Sequence, residues 1–258
     1  MGRASLPPAV TVRAVTEGNQ PPPGGLSTHE GAVSASQLRV TVVIPTYNES
    51  ANIVAAIESA AAADEVLVVD GGSTDDTLQR ANPVATRVFV SRPGRGPQQN
   101  AAAAEAGGDV LLFLHADCRL HSDAVARVRA AIARGADWGG FVQHIPDERR
   151  RFRWLETGNL RRARRGMVYG DQGLWVRAAV FAAVGGFPEW PLMEDVELSR
   201  RLGRRSRPVL LNAPLMVSPR RWHERGVVRQ TVVNRVLLAA YGAGVSPSRL
   251  ARWYRVLR

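Results

Sequence analysis

The chain of 258 residues is long enough for one large α/β domain or two small ones, and 45% of its residues are hydrophobic. No run approaches the roughly 18–20 apolar residues of a membrane span, and the single cysteine, Cys118, excludes an internal disulfide and suits a reducing compartment. The net charge is +11, but residues 149–258 carry +16 and residues 1–148 carry −5, which favours a nucleic acid, an anionic membrane surface or a phosphorylated substrate as partner.

Residues 1–37 differ from the rest of the chain in composition. They are rich in proline, glycine, alanine and serine and show no apolar period, which predicts a disordered tail or a misassigned start. The N-terminus lacks the apolar segment that is typical of a secretory signal. We therefore expect a cytoplasmic protein, and the basic half leaves open a peripheral contact with the anionic inner face of the membrane.

From Arg39 onward, apolar runs alternate with helical segments about every 25 residues. Buried strands are predicted at residues 40–44, 65–69, 87–90 and 109–114, with helices at residues 52–63, after residue 74 and at 101–106. This order predicts an α/β fold with a mostly parallel central sheet that is flanked by helices. Ligands bind such sheets at the C-terminal ends of their strands.

The second half of the chain continues the pattern with many more arginines. Further elements are predicted at residues 123–134 (a helix), 138–142 and 174–176 (strands), and 192–198 (the start of a helix). Residues 226–258 read as one or two amphipathic helices packed on or beside a single domain of residues 38–225. The very basic segment 149–165 could bind nucleic acid, but a solvated helix face or a contact with anionic lipid fits it equally well.

Two loops place polar groups at the predicted ends of strands. His115-Ala116-Asp117 follows a buried strand, where an imidazole and a carboxylate can bind a metal or a phosphate, although Asp117 could equally cap the next helix. Asp70-Gly71-Gly72-Ser73 is neither a dinucleotide fingerprint nor a P-loop. Its carboxylate suits a uracil edge or a ribose hydroxyl, and a simple turn aspartate is the alternative.

Glu194 and Asp195 begin a predicted helix, whose dipole favours their ionised forms, and a carboxylate that faces a cleft can act as general base. Helix capping is the usual role of an isolated acidic pair. His223 is another candidate, although a lone histidine is more often structural than a ligand.

Six blocks in this order resemble the inverting family 2 glycosyltransferases of the GT-A fold, and the resemblance covers about residues 38–258. The blocks lie at residues 42–49, 68–75, 95–100, 112–117, 169–173 and 191–198. Residues 170–173, 191–198 and 244–247 are also similar to a bacterial subgroup that is associated with radical-SAM and selenoprotein-like domains. The resemblance implies one Rossmann-like GT-A domain over residues 38–225.

The same resemblance implies a role for individual residues. The residues expected to bind the nucleotide sugar are Pro45, Tyr47, Glu49, Asp70, Gly71, Arg95, His115, Ala116 and Gln172. Asp117 is expected to hold the divalent metal, Mn²⁺ or Mg²⁺, on the donor diphosphate. His115 stands where the family usually has the first aspartate of its metal motif, so it is a second candidate ligand, and His223 is a third.

Within this family pattern, Asp195, next to Glu194, corresponds to the base that deprotonates the acceptor. The implied activity is a metal-dependent, inverting transferase of the hexosyltransferase type, which moves a sugar from a nucleotide-diphosphate donor to an unidentified acceptor hydroxyl. The alternatives are a non-catalytic nucleotide-sugar-binding protein and a sugar nucleotidyltransferase. Nucleotidyltransferases usually carry a lysine after the first strand, and this chain has no lysine. Nucleic acid is not expected as a partner, since no recognised nucleic-acid module surrounds the arginines.

Overall fold

The computed structural model describes residues 34–257, so most of the predicted tail of residues 1–37 lies outside the described residues. The first described element is a short 3-10 helix, Ala35–Gln37. The strands are β1 (Val40–Thr46), β2 (Glu65–Asp70), β3 (Arg87–Val90), β4 (Val110–Phe113), β5 (Cys118–Arg119), β6 (Trp138–His144), β7 (Trp175–Arg177) and β8 (Val209–Val217). The helices are α1 (Ile53–Ser59), α2 (Thr77–Ala81), α3 (Arg95–Glu105), α4 (Ala124–Ala133), α5 (Arg150–Arg164), α6 (Ala178–Ala183), α7 (Glu194–Gly203), α8 (Arg220–Arg225), α9 (Val227–Gly242) and α10 (Pro247–Leu257).

The strands form one sheet in the order β3-β2-β1-β4-β7-β6-β8-β5. The pairs β3–β2, β2–β1, β1–β4 and β6–β8 are parallel, and the other three pairs are antiparallel. This confirms the predicted α/β fold with a mostly parallel sheet. β1 lies between two parallel neighbours, which explains why all seven of its residues are buried.

Side chains of successive residues in β1 enter two different cores, because they point to opposite faces of the sheet. Val42 and Ile44 pack with Ile53 and Ile57 of α1 on one face. Val43 packs on the other face with Phe113 and neighbouring apolar side chains. Helices therefore cover both faces of the sheet, and its polar residues collect at strand ends.

Helix α3 begins six residues earlier than the sequence predicts, at Arg95 instead of residue 101. Pro97 is compatible with this start because the N–H groups of the first helical turn have no intrahelical partner. Gly96 allows close packing here, since a Cβ atom at this position would lie 2.5 Å from the carbonyl oxygen of Pro188. The earlier start places Arg95 at the N-terminus of the helix.

The C-terminal helices α9 and α10 pack against the segment that leads into α7. Met193, Leu237 and Leu250 form a buried apolar cluster, against which half-buried side chains such as Leu192 and Leu238 pack. Among the described residues, no helix is both long enough and apolar enough to cross a membrane.

Candidate active site

The loop after β2 is organised by Asp70, which is fully buried. Its carboxylate accepts hydrogen bonds from the backbone amides of Gly72 and Ser73, both at 2.7 Å, and from the Ser73 hydroxyl. Asp70 therefore shapes the turn, as the alternative interpretation of this loop expects. Gly71, the next residue, is the one that lines the cavity described below.

Gln98 of α3 joins the ends of β1 and β2. Its Nε2 donates to the carbonyl oxygens of Thr46 (2.9 Å) and Val69 (2.8 Å). A Cβ atom on Gly71 would lie 3.2 Å from the Gln98 amide group, so glycine suits this close approach. Tyr47, directly after β1, is 59% exposed and faces the same space.

His115, Asp117 and Cys118 follow β4 and form a compact group whose ligand atoms all lie within 4.8 Å of one another. Arg221 of α8 lies 3.7 Å from the Asp117 carboxylate. Of the three, His115 and Asp117 are half-buried and Cys118 is buried. The residues are close enough together for more than one of them to contact a single cation.

Two of these three groups have the chemistry of metal ligands. Burial, and then the positive charge of Arg95, lower the pKa of His115 to about 4, so its imidazole is neutral and keeps a lone pair at neutral pH. Burial raises the pKa of the Cys118 thiol well above its usual range. His115 and Asp117 fit Mn²⁺ or Mg²⁺, whereas the sulfur of Cys118 is a soft ligand that suits other metals.

Asp195, the second residue of α7, is held by two backbone amides. Gly170 N–H donates to Oδ2 at 2.9 Å, and Val196 N–H donates to Oδ1 at 2.8 Å. A Cβ atom on Gly170 would lie 3.0 Å from His115 Nε2 and 3.4 Å from Asp195 Oδ2. The imidazole and the carboxylate thus lie close to the same position beside Gly170.

Glu194 is only 5% exposed, and burial, followed by repulsion from Asp195, raises its pKa to about 7. Desolvation therefore outweighs the stabilisation of the Glu194 charge that the helix dipole provides. Arg95 faces the same pair. Desolvation opposes its charge, but the carboxylates of Glu194, Asp195 and Asp117 together raise its pKa.

A cavity of about 710 Å³ is lined by Arg95, Glu194 and Asp195. Its lining comes from the loops after β1 and β2, the start of α3, the segment around Tyr169, the entrance to α7, and helices α8, α9 and α10. Of the residues predicted from the sequence, the lining contains Tyr47, Gly71, Arg95, Glu194 and Asp195. The volume is in the usual range of small-molecule sites.

The remaining predicted residues, His115, Asp117 and Asp70 among them, are not part of this lining in the described part of the chain. Pro45 is buried within β1, and Ala116 is part of the core. Gln172 is buried behind the lining, where its side chain accepts a hydrogen bond from Arg162 at 2.8 Å. Glu49 forms an ion pair with Arg220 of α8 at 2.8 Å.

The structure does not bring His223 together with His115 and Asp117. Its Nε2 lies 3.0 Å from Asp147, and its ring also contacts Arg149. Asp147 and Arg149 precede α5, so His223 faces away from the metal-ligand group even though Arg221 of the same short helix reaches Asp117. His223 is therefore placed as a structural contact between α8 and the start of α5.

Three charged residues of the cavity lining are absent from the sequence prediction: Arg162, Asp171 and Arg221. Arg162 stacks on the Tyr169 ring, with its Cζ 4.0 Å from the ring centroid, and lies 3.6 Å from Asp171. The sequence contains weak signals for them, since Asp171 belongs to a matched block and Arg221 is two residues from His223. Nothing in the basic segment 149–165 distinguishes Arg162 from its neighbours.

Residues 41–185 match the family model described as Glycosyl transferase family 2. The chain belongs to glycosyltransferase family 2. A relative from Mycobacterium tuberculosis, a "PGL/p-HBAD biosynthesis glycosyltransferase", is 28% identical over 211 residues, which cover 77% of this chain and 82% of the relative.

Two solved structures share the GT-A fold of this family 2 glycosyltransferase. S. aureus TarS in complex with UDP-GlcNAc has a TM-score of 0.57 and 23% identity, over 70% of this chain and 58% of TarS. The mannosyltransferase PcManGT from Pyrobaculum calidifontis, in complex with GDP-Man and Mn²⁺, has a TM-score of 0.60 and 19% identity, over 85% of this chain and 70% of PcManGT. This chain thus spans under two thirds of the TarS chain.

Proposed function

We propose that this family 2 glycosyltransferase moves a sugar from a nucleoside-diphosphate donor to an acceptor hydroxyl, with inversion at the anomeric carbon and with a bound divalent cation. One observation carries the proposal. The imidazole of His115, which is grouped with Asp117, and the carboxylate of Asp195 lie beside the same position at Gly170, and Asp195 lines a cavity large enough for a small-molecule substrate.

The donor nucleotide is assigned to the end of the cavity formed by the loops after β1 and β2. Tyr47 offers an exposed ring there for contact with a base, and Gly71 allows close approach to the backbone. The UDP-GlcNAc and GDP-Man in the structures of similar fold support a nucleotide-sugar donor. Asp70 contributes indirectly, by fixing the conformation of the Gly71–Ser73 turn.

Asp117 and His115 would hold the cation, and a divalent cation there would neutralise the charge that develops on the departing nucleoside diphosphate. The Asp117 carboxylate suits Mg²⁺ or Mn²⁺, while the neutral imidazole of His115 favours Mn²⁺ as the softer of the two. The Mn²⁺ in the PcManGT complex supports this choice. Arg221, which lies 3.7 Å from Asp117, would add a positive charge beside the diphosphate.

Asp195 acts as the general base. It takes the proton of the acceptor hydroxyl while that oxygen forms a bond to the anomeric carbon, and the bond from this carbon to the phosphate oxygen breaks with its electron pair. The two backbone amides hold the carboxylate in one orientation. A single displacement of this kind needs one base on the face opposite the leaving group and forms no covalent enzyme intermediate.

The alternatives account for less of the site. A binding protein needs no oriented carboxylate beside the metal-ligand group, and a nucleotidyltransferase usually needs a lysine that this chain lacks. A cytoplasmic location, contact of the basic half with an anionic membrane, and the bacterial subgroup stay predictions from the sequence.

Thermal unfolding with nucleotide sugars tests the proposed metal and donor site. A UDP- or GDP-sugar with Mn²⁺ is expected to raise the melting temperature of the wild type, since the ligand binds only the folded state. Asp117→Ala is expected to lose most of the Mn²⁺-dependent part of that rise. Asp123→Ala, an exposed carboxylate at the start of α4 and outside the cavity lining, is the matched control. An undiminished Mn²⁺-dependent rise in Asp117→Ala would remove Asp117 from the metal site.

A further inference from the structure

The lining of the cavity combines two kinds of side chain. Its polar and charged groups include Arg95, Asp171 and Arg162. Its apolar side chains from the entrance to α7 and from helices α9 and α10 are Leu192, Met193, Val196, Leu237, Leu238 and Ala251, which we call the apolar wall, and Asn234 and Tyr254 line the cavity from the same two helices. A charged donor would bind unfavourably against this wall, because burying its phosphates or sugar hydroxyls there would leave them without hydrogen bonds.

The apolar wall is a fixed part of the fold. Its buried side is the cluster of Met193, Leu237 and Leu250. The Tyr241 hydroxyl of α9 donates to Glu197 of α7 at 2.9 Å, and the Tyr241 ring lies 6.3 Å from that of Trp190. These contacts hold α9 against the segment that carries the catalytic carboxylate, so the wall is formed before any ligand arrives.

The position of the wall relative to the base identifies its occupant. Met193, in a left-handed conformation with φ of 68°, and Val196 are close neighbours of Asp195 in the chain and line the same cavity. Because Asp195 must contact the hydroxyl that it deprotonates, the molecule next to this wall is the acceptor. The wall comes from residues 192–251, which, like Asp195, lie beyond the segment 41–185 that matches the family model.

We propose that the acceptor is amphiphilic: it presents its reactive hydroxyl to Asp195 and lays an alkyl or aryl body along the apolar wall. The inference rests on the proposed function, which names the base but not the acceptor. Apolar side chains that face a cavity bind most favourably when a ligand removes their surface from water. An acceptor without an apolar body would leave the apolar wall in contact with water.

Calorimetric binding of two glucosides tests the inference without turnover. Octyl β-D-glucoside, kept below its micelle concentration, and methyl β-D-glucoside carry the same hydroxyls and differ only in the tail. With UDP and Mn²⁺ present, octyl glucoside is expected to bind at least about tenfold more tightly, since each buried methylene contributes roughly three- to fourfold. Equal affinities would overturn the proposal.

Variants locate the binding of the tail. Leu238→Ser and, independently, Leu192→Ser place a hydroxyl on the wall, and each is expected to reduce the advantage of octyl glucoside while UDP affinity stays unchanged. Val232→Ser is the matched control, because Val232 lies on α9 like Leu238, is 53% exposed and is outside the cavity lining. The assignment of the tail to the wall would be overturned if both wall variants kept the full affinity ratio of octyl to methyl glucoside. It would also be overturned if Val232→Ser lost that ratio.

Transfer assays separate this inference from the proposed function. If octyl glucoside binds preferentially but no donor releases a nucleoside diphosphate with any acceptor, the proposed function fails and the wall is a ligand site of another kind. If release is as efficient with tail-less acceptors as with their alkyl counterparts, the function stands and the amphiphilic acceptor is wrong.

Discussion

Asp195 shows how a single residue in this site depends on backbone contacts from a distant part of the chain. One oxygen accepts from the amide of the next residue, Val196, and the other from Gly170, which is 25 residues earlier. Gly170 is also the point where His115 comes near, and a side chain there would fill the space between them. The acidic pair could be predicted from the sequence, but this convergence could not, because no local pattern relates residues 115, 170 and 195.

Asp195→Asn tests the role of the base. Asparagine has the shape of aspartate but cannot accept a proton at neutral pH, and its NH2 group cannot accept one of the two backbone hydrogen bonds, so kcat is expected to fall by about 10²- to 10⁴-fold while the dissociation constant of the donor is nearly unchanged. Both values come from steady-state kinetics and donor titration. Asp123→Asn, outside the cavity, should keep full activity. A normal kcat in Asp195→Asn would transfer the role of base to another group.

Glu194 illustrates a limit of sequence reasoning about charge. Its place at a helix start predicts an ionised carboxylate, yet its burial beside Asp195 raises its pKa to about 7. Burial depends on the packing of α3 and the loop around Pro188 against this position, and the sequence contains no direct sign of it. The identity of a residue at a site is thus easier to predict than its protonation state.

At the scale of elements, the carboxylate of Glu197 links α7 to the C-terminal helix α9. Glu197 accepts hydrogen bonds from Arg200 at 2.7 Å, from Arg201 at 2.9 Å and from the Tyr241 hydroxyl of α9 at 2.9 Å. The bonds from Arg200, and then those from Arg201 and Tyr241, lower the pKa of Glu197 to about 2, although burial opposes the shift. The folded protein therefore prefers the ionised form.

Glu197→Gln is expected to lower the free energy of unfolding at pH 7 by about 2 kcal/mol, the typical contribution of hydrogen bonds to a charged group. Because the pKa is depressed in the folded state, this contribution is complete above pH 4.5 and is lost as the pH falls towards about 2. Urea unfolding at pH 7 and pH 3 measures it. Glu148→Gln, at an exposed position, is the control. An equal loss of stability at both pH values would contradict the role of the charge.

The elements differ in how well the sequence predicts them. β1, β2 and β4 are continuous apolar runs with buried neighbours, so their composition alone predicts them as strands. The sequence does not predict β8 or β5, and the reason differs between the two strands. β8 contains Pro214, which falls where the β6–β8 register is irregular, and β5 has only two residues and exists through its pairing with β8. Tertiary context, more than local propensity, forms both strands.

At the scale of the whole molecule, the fold and the family follow from the order of short blocks along the chain. The cavity does not, because its lining runs from Tyr47 to Tyr254 and joins segments with no sequence relation. The donor end, which lies near the ends of β1 and β2, is the part that the sequence predicts best. The apolar wall depends on how α9 and α10 pack against α7, and it becomes visible only in three dimensions.

The most direct test of the central claim is product analysis with purified protein, UDP- and GDP-sugars, Mn²⁺ and hydroxyl acceptors that include octyl β-D-glucoside. The expected result is release of the nucleoside diphosphate from one class of donor, faster with acceptor than with water alone and reduced to background by EDTA. Donor that binds yet stays intact under all conditions, or cleavage that yields a sugar 1-phosphate instead of a nucleoside diphosphate, would contradict glycosyl transfer at this site.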